Sequence, residues 1–318
     1  MERTLGKAAR FVFGETVVEL ANEDPRVLVL DGDVATSTGV DVFEAAHPER
    51  FLQMGIGEQN MLAVAAGLAS VGFVPIVSGF ACFVVSRALD SIRVLIAQTG
   101  LNVKIVGGYT GLLTGLTGKT HQIFNDIAIM RTLPGIVVLA PGDEEETRQA
   151  VRAMVAAAGP VYMQVTRDPS PVLFTNGYHF EIGRSVVLRE GSDVTLISAG
   201  PQSSRVRDAA EILARHDIDA LVLHVPTIKP IDQEGIVQAA RATGCVVVIE
   251  EQNVLGGLGG AVAEVLAERY PVPVVRIGIN DTYGESGPNE ALLDKYRLSA
   301  GAVAQQVEGV LARRKEPV

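Results

Sequence analysis

The residues best equipped for chemistry in this 318-residue chain are a lone carboxylate, a histidine in a glycine-rich loop, two phenylalanines and an arginine at a strand end. Glu58 stands in Met54-Gly55-Ile56-Gly57-Glu58-Gln59-Asn60 and is the only charge between Arg50 and Arg87. Two readings of it stand side by side. In the first turn of a helix, a carboxylate interacts well with the helix dipole and needs no further role. Buried against the Ala/Gly-rich helix that follows, it would need a partner, because an unpaired buried carboxylate is costly and its pKa rises. A cofactor ring nitrogen sharing its proton would be such a partner. Among the five histidines, His121 alone sits in a glycine-rich loop after a strand. An imidazole titrating near neutrality suits proton transfer. His47, His179 and His216 read as surface residues, and His224 as a satisfied strand residue.

These side chains need elements to hold them. Short apolar runs alternating with helical spacing predict parallel α/β architecture: a helix over 7–22, strands over 27–30, 73–77, 103–106, 136–140 and 161–165, and helices over 61–70 and 143–157. Loops at strand ends are where such folds hold ligands. The polar segment 31–39, the loop 107–120 ending in Thr120-His121-Gln122, and Thr166-Arg167-Asp168 are therefore candidates. Each also reads as a plain surface turn or cation. Phe80 and Phe83 are three residues apart, a spacing that ordinarily means core. Gly118-Lys119-Thr120 hints at a nucleotide loop, but the opening glycine of a GxxxxGK[ST] frame is missing. The acidic run 143–146 reads as a helix start with a solvated face. A turn-rich stretch near 177–191 divides residues 1–180 from 181–318. The second unit repeats the α/β pattern, with strands over 194–198, 220–225 and 246–250 and helices over 204–216 and 232–242. Its Gly256-Gly257-Leu258-Gly259-Gly260 turn is an imperfect dinucleotide motif.

Net charge −10 argues against a nucleic-acid partner, so any anionic substrate must meet local cations. Cys82 and Cys245 lie far apart in apolar runs and read as reduced core residues of a cytoplasmic protein. The opening MERTLGKAAR has no long apolar stretch and no signal-peptide pattern. Residues 61–86 are uncharged, but Gly67, Gly72, Pro75 and Gly79 break them into a fully buried α/β segment and not a membrane span.

The string GIGEQNMLAVAAGLA (55–69) resembles the segment of transketolases and deoxyxylulose-phosphate synthases that carries their catalytic glutamate. The resemblance runs from about Leu5 to the C-terminus, the second half of a full-length transketolase. It implies a pyrimidine-binding domain followed by a transketolase C-terminal domain, both α/β. It further implies thiamine diphosphate, with Glu58 hydrogen-bonding the aminopyrimidine and Phe83, with Phe80, stacking against it. Asp33 and Ile56 would reach the cofactor. Ser37, His121 and Arg167 would touch substrate, and His121 would also move protons. A two-carbon ketol unit would pass from a ketose to an aldose. Residues 284–287 match the usual finish of the C-terminal domain, which in the family is mainly structural, and receive no chemistry.

Several departures qualify this. Thr117 and Tyr109 stand where sugar-phosphate transketolases carry an acid and a second histidine, Ser86 where many have tyrosine, and Gly6 near the place of an arginine. The expectation is a non-standard ketose or aldose that can lack the usual terminal phosphate, and a more open pocket edge at Ser86. No Gly-Asp-Gly diphosphate and Mg²⁺ motif exists in the chain, so no metal ligand is assigned here. A separate N-terminal subunit is expected to bring Mg²⁺ and the diphosphate site, in a heterotetramer of two of each chain. The small residues of the Glu58 helix suit that contact. The beta subunit of a 2-oxo-acid dehydrogenase is similar in length and layout, but the Glu-Gln-Asn and Thr-His-Gln strings favour transketolase. A scaffolding homologue that lost catalysis is a further alternative, against which Glu58, Phe83 and His121 argue.

Overall fold

The computed structural model describes residues 4–175 and 177–315. Residues 1–3 and 316–318, at the outer bounds of the two expected domains and including the start of the opening segment, lie outside the described residues, as does Asn176 in the turn-rich stretch. The strands are β1 (Leu5–Ala8), β2 (Val27–Asp31), β3 (Phe51–Gln53), β4 (Val74–Phe80), β5 (Lys104–Gly108), β6 (Val137–Leu139), β7 (Val161–Val165), β8 (Pro169–Pro171), β9 (Val186–Arg189), β10 (Val194–Ser198), β11 (Ala220–His224), β12 (Thr227–Lys229), β13 (Val246–Asn253) and β14 (Val274–Ile279). A seven-stranded sheet runs β12-β6-β7-β5-β4-β2-β3, a five-stranded sheet runs β14-β13-β10-β11-β9, and β1 pairs with β8. Both large sheets are parallel except at one edge, where β12 and β9 run antiparallel.

The central strands are buried end to end, as expected of parallel strands covered by helices on both faces. The chain lays β3 on one side of β2 and then returns to place β4 on the other. That reversal of strand order opens a crevice at the carboxyl ends of β2 and β4, the usual ligand position in such sheets. The helix Ala9–Glu23 packs against the 31–39 loop that follows β2. A side chain on its Gly14 would fall 1.8 Å from the Gly39 carbonyl oxygen, so only glycine lets this helix approach the 31–39 loop.

The two units interlock. β12 follows residue 181 in the chain yet completes the first sheet by pairing with β6. One apolar cluster joins Leu30, Val77 and Ile105 of the first unit with Ile197, Leu223 and Val248 of the second.

A buried polar chain crosses the same boundary and corrects the reading of 143–146 as a solvated face. Asp143 and Glu146 are both buried. Asp143 caps the helix Glu144–Ala156, accepting from Glu146 N at 2.9 Å, and also accepts from the backbone of Leu173 and Phe174. Glu146 accepts from Gly142 N at 2.6 Å and from the Tyr178 hydroxyl, and lies 2.7 Å from His224 Nε2. His224 Nδ1 is 2.6 Å from Ser203 Oγ, which is 2.8 Å from Ser198 Oγ. Burial and the Glu146 charge push the Tyr178 pKa up, so this hydroxyl stays a donor. His224 is thus satisfied in the core, as its strand position suggests. His47 corrects to half-buried, with Nδ1 2.6 Å from Arg50.

The uncharged stretch 61–86 forms helix, strand and helix, but it is not fully buried. Gly67, Ser70, Val71, Gly72 and Phe73 are exposed. Among the described residues no helix is long and apolar enough to cross a membrane.

Removing one member of the buried interdomain chain strands the rest. Glu146→Ala is expected to destabilise the protein by about 3 kcal/mol, because it leaves the buried donors of Gly142, Tyr178 and His224 without their acceptor. Equilibrium urea unfolding of Glu146→Ala, His224→Ala and the double variant checks this. The double variant should lose clearly less than the sum of the singles.

Candidate active site

The site gathers at the carboxyl ends of β2, β3, β4, β5 and β7. Gln53 closes β3 and organises the turn that leads to Glu58. Its Oε1 accepts from Asp33 N at 3.1 Å and Gly55 N at 3.0 Å, while Nε2 donates to Asp31 Oδ2 at 3.0 Å. Asp31 is fully buried at the end of β2 and also accepts from Val34 N. Burial pushes its pKa up, partly opposed by these hydrogen bonds. Asp31 opens the candidate segment 31–39, whereas Gln53 escapes the sequence reading; its only signal is that it ends an apolar strand.

Glu58 opens the helix Glu58–Ser70, and its side chain is only 8% exposed. Both carboxylate oxygens accept from Arg87 Nη1, at 3.2 and 3.3 Å. The two readings of Glu58 therefore merge: it is a first-turn residue and it is buried. The Arg87 guanidinium also lies over the Phe83 ring, 4.3 Å from its centroid. Phe83 stands in the helix Ala81–Ser91 and Phe80 at the end of β4.

The aromatic pair is half-buried and not simply core. His121 packs edge-on against both rings, with centroids 5.2 Å from Phe83 and 5.9 Å from Phe80. Phe80 lies 4.2 Å from Tyr109, and the Arg167 guanidinium lies over Tyr109 at 5.6 Å. Tyr109 takes φ +59°, a conformation that a bulky residue adopts only when its surroundings hold it there. Thr120 Oγ1 is 2.9 Å from His121 Nδ1, which engages that nitrogen and leaves Nε2 for another group.

The structure thus brings Glu58, Phe80, Phe83, His121 and Arg167 into one chain of contacts. Asp33 joins indirectly, through its backbone and Gln53. Ile56 sits beside Glu58 but is 76% exposed. Among the described contacts none joins Ser37 to this cluster; its carbonyl accepts from Arg10 Nη1 at 3.0 Å.

The loop carrying His121 is held from the second unit. Leu112, Leu113 and Phe124 are buried in that unit's apolar cluster with Val194, Ile249 and Leu293. Gln122 Nε2 donates to Glu285 O at 3.1 Å, Ser286 Oγ donates to Leu116 O at 2.8 Å, and a side chain on Gly284 would collide with Gln122. Residues 284–287 therefore brace the site loop, although the sequence assigns them no chemistry. Beside them opens a cavity of about 510 Å³ lined by Cys82, Ser86, Lys119, Asn253, Asp281 and Tyr283. Cys82 is half-buried, packed against the main apolar cluster on one side and lining this cavity on the other. Below the loop, fully buried Asp126 accepts from Tyr162 OH at 2.5 Å and Gln164 Nε2 at 2.6 Å.

Comparison with known proteins matches this geometry to one family. The description "Transketolase, pyrimidine binding domain" matches residues 6–171, and "Transketolase, C-terminal domain" matches 183–303. The chain belongs to the transketolase family. The family's pyrimidine-binding domain is thus the one that carries the Glu58 and His121 cluster. Similar proteins include the 6-deoxy-6-sulfo-D-fructose transketolase subunit SqwH of a Clostridium species, 38% identical over 96% of this chain and 95% of that one. A putative transketolase C-terminal section from Methanocaldococcus jannaschii is 40% identical over 95% of each chain. Against a 1-deoxy-D-xylulose-5-phosphate synthase from Geobacter sulfurreducens the identity is 34%, and the match spans 96% of this chain but 48% of that protein. Among solved structures, a split-gene transketolase described as an inactive beta4 tetramer superposes with TM-score 0.88 at 44% identity, covering 96% of this chain and 99% of that one.

Gln53 offers a direct check on how the Glu58 turn is held. In Gln53→Ala the amides of Asp33 and Gly55 lose their acceptor and Asp31 loses a donor. The expected result is faster hydrogen exchange at those two amides and a stability loss of about 1–3 kcal/mol. Met61 N, bonded to the Gly57 carbonyl, should keep its protection.

Proposed function

We propose that this chain is the C-terminal subunit of a thiamine-diphosphate-dependent transketolase, formed by residues 1–180 as pyrimidine-binding domain and 181–318 as C-terminal domain. The observation that carries this is Glu58: a buried carboxylate in the pyrimidine-binding domain whose side-chain hydrogen bonds, among the described residues, come from a half-exposed arginine that itself lies over the Phe83 ring. Such a pocket fits a flat, nitrogen-bearing heteroaromatic ring. The ring would stack on Phe83 and Phe80 and meet the carboxylate at its edge. When bound, thiamine diphosphate supplies the electron sink that lets a carbon–carbon bond next to a carbonyl break.

The chain's own residues do the rest. Glu58 holds and exchanges a proton at the pyrimidine ring nitrogen, which a buried carboxylate does well because neither partner is solvated by water. Phe80, Phe83 and Tyr109 exclude water around that exchange. His121, with Nδ1 engaged by Thr120, presents Nε2 to a substrate hydroxyl or carbonyl oxygen and moves a proton there. Asp33 and Ile56 border the cofactor, Ser37 the substrate. Arg167, over Tyr109, meets an anionic substrate end.

Mg²⁺ and the diphosphate belong in this reading to a separate N-terminal subunit, with two copies of each chain in a cytoplasmic complex. The near-complete coverage of relatives named as a transketolase subunit, a C-terminal section and a split-gene transketolase supports this. The substrate is a ketose or aldose outside the ordinary pentose phosphates. The replacements at Thr117 and Tyr109 support that, as do relatives named for 6-deoxy-6-sulfo-D-fructose and apulose-4-phosphate.

Glu58→Ala, assembled with the partner subunit, should lose at least about 100-fold in turnover, the lower range for removing a positioned acid–base group. Its circular dichroism should be unchanged. Activity within about tenfold of the unaltered protein would contradict the role of Glu58. In a substrate panel, fastest turnover of ordinary pentose phosphates would contradict the substrate assignment.

A further inference from the structure

Arg87 is not among the residues that the sequence points to, and the reaction does not call for it. Yet it makes the two contacts that the site offers to a cofactor ring. One guanidinium nitrogen donates to both oxygens of Glu58, at 3.2 and 3.3 Å. The plane of the same group covers Phe83, 4.3 Å from the ring centroid. A guanidinium is flat, delocalised and fringed with N–H donors. An aminopyrimidine sharing a proton with a carboxylate is likewise flat, carries an N–H toward that carboxylate, and stacks on aromatic faces.

Position and mobility fit the same idea. The Arg87 backbone is fixed: it lies within the helix Ala81–Ser91, and its carbonyl accepts from Gln59 Nε2 at 3.0 Å. The side chain is half-exposed while Glu58 is 8% exposed, so the cation reaches in from the rim to a carboxylate that cannot move out to water. Without Arg87 or a ring in its place, Glu58 would be a buried charge with no partner, which is unfavourable. The arrangement therefore keeps the free subunit stable with its pocket filled.

We infer that Arg87 is an internal stand-in for the aminopyrimidine: it occupies Glu58 and Phe83 in the free subunit and must swing out when the cofactor ring enters. The inference rests on the thiamine reading of the site. Its consequence is competition. A ligand that binds only the open form loses apparent affinity by the fraction of molecules that are closed. The isolated subunit should then hold the cofactor ring weakly, and any element that draws Arg87 outward, such as an acidic group of a docking subunit, should favour loading.

The probe is thiamine, which carries the aminopyrimidine without the diphosphate, titrated calorimetrically into the isolated full-length chain. Arg87→Gln should bind thiamine at least about tenfold more tightly than the unaltered protein. Arg87→Lys, which keeps the charge but loses the flat fork, should fall between them and guards against misfolding of the glutamine variant. Arg93→Gln removes a charge from an exposed arginine that pairs with Asp90, and should leave affinity unchanged. Equal affinity of Arg87→Gln and the unaltered protein, or equal gains from Arg87→Gln and Arg93→Gln, would overturn the stand-in. The thiamine reading itself fails with a different signature: Glu58→Gln/Arg87→Gln binding as tightly as Arg87→Gln alone.

Discussion

A carboxylate taken out of water has to be answered by a cation, a proton or a set of donors, and much of the first domain answers that need at Glu58. The helix start supplies a favourable dipole, the Gln53 bridge fixes the turn before it, and Arg87 supplies charge from the rim. The apolar helix behind Glu58, with Met61, Leu62 and Ala65 buried, leaves the group no route back to solvent. A fold that served stability alone would gain little from a buried carboxylate here, since its attraction to a half-exposed arginine is weakened by water. Retaining the pair is consistent with a carboxylate reserved for a ligand.

The second domain matters to the site in a way its own residues do not announce. It carries none of the cluster formed by Glu58, Phe83 and His121. Instead it anchors the loop on which His121 rides, through Leu112, Leu113 and Phe124 beneath and the 284–287 segment alongside. β12 and the chain from Ser198 to Tyr178 tie the same domain to the first sheet at other points. A site needs rigid supports, and here a domain that carries none of the cluster supplies part of the rigidity.

Much of this was legible in the sequence because parallel strands buried on both faces write themselves as continuous apolar runs. β2, β7, β10 and β11 fall where those runs fall. Glu58 was legible because it is a single charge in a long uncharged stretch, and His121 because of its glycine-rich setting. What stayed hidden depends on contacts between distant residues. Asp143 and Glu146 look like a helix-starting acidic run, and only the arrival of His224 and Tyr178 buries Glu146 among partners. β12 is three residues long and pairs across the domain boundary, which no local pattern encodes. Arg87 reads as one cation on a helical stripe with Asp90 and Arg93. Its meaning comes from Glu58, twenty-nine positions earlier in the chain.

The central claim is that this chain forms a thiamine-dependent active site together with a second subunit. Native mass spectrometry of the complex isolated from the source cells tests it most directly. The account predicts two copies of this chain with two of a different chain, carrying bound thiamine diphosphate. A homo-oligomer of this chain, active without any second chain or bound cofactor, would contradict it.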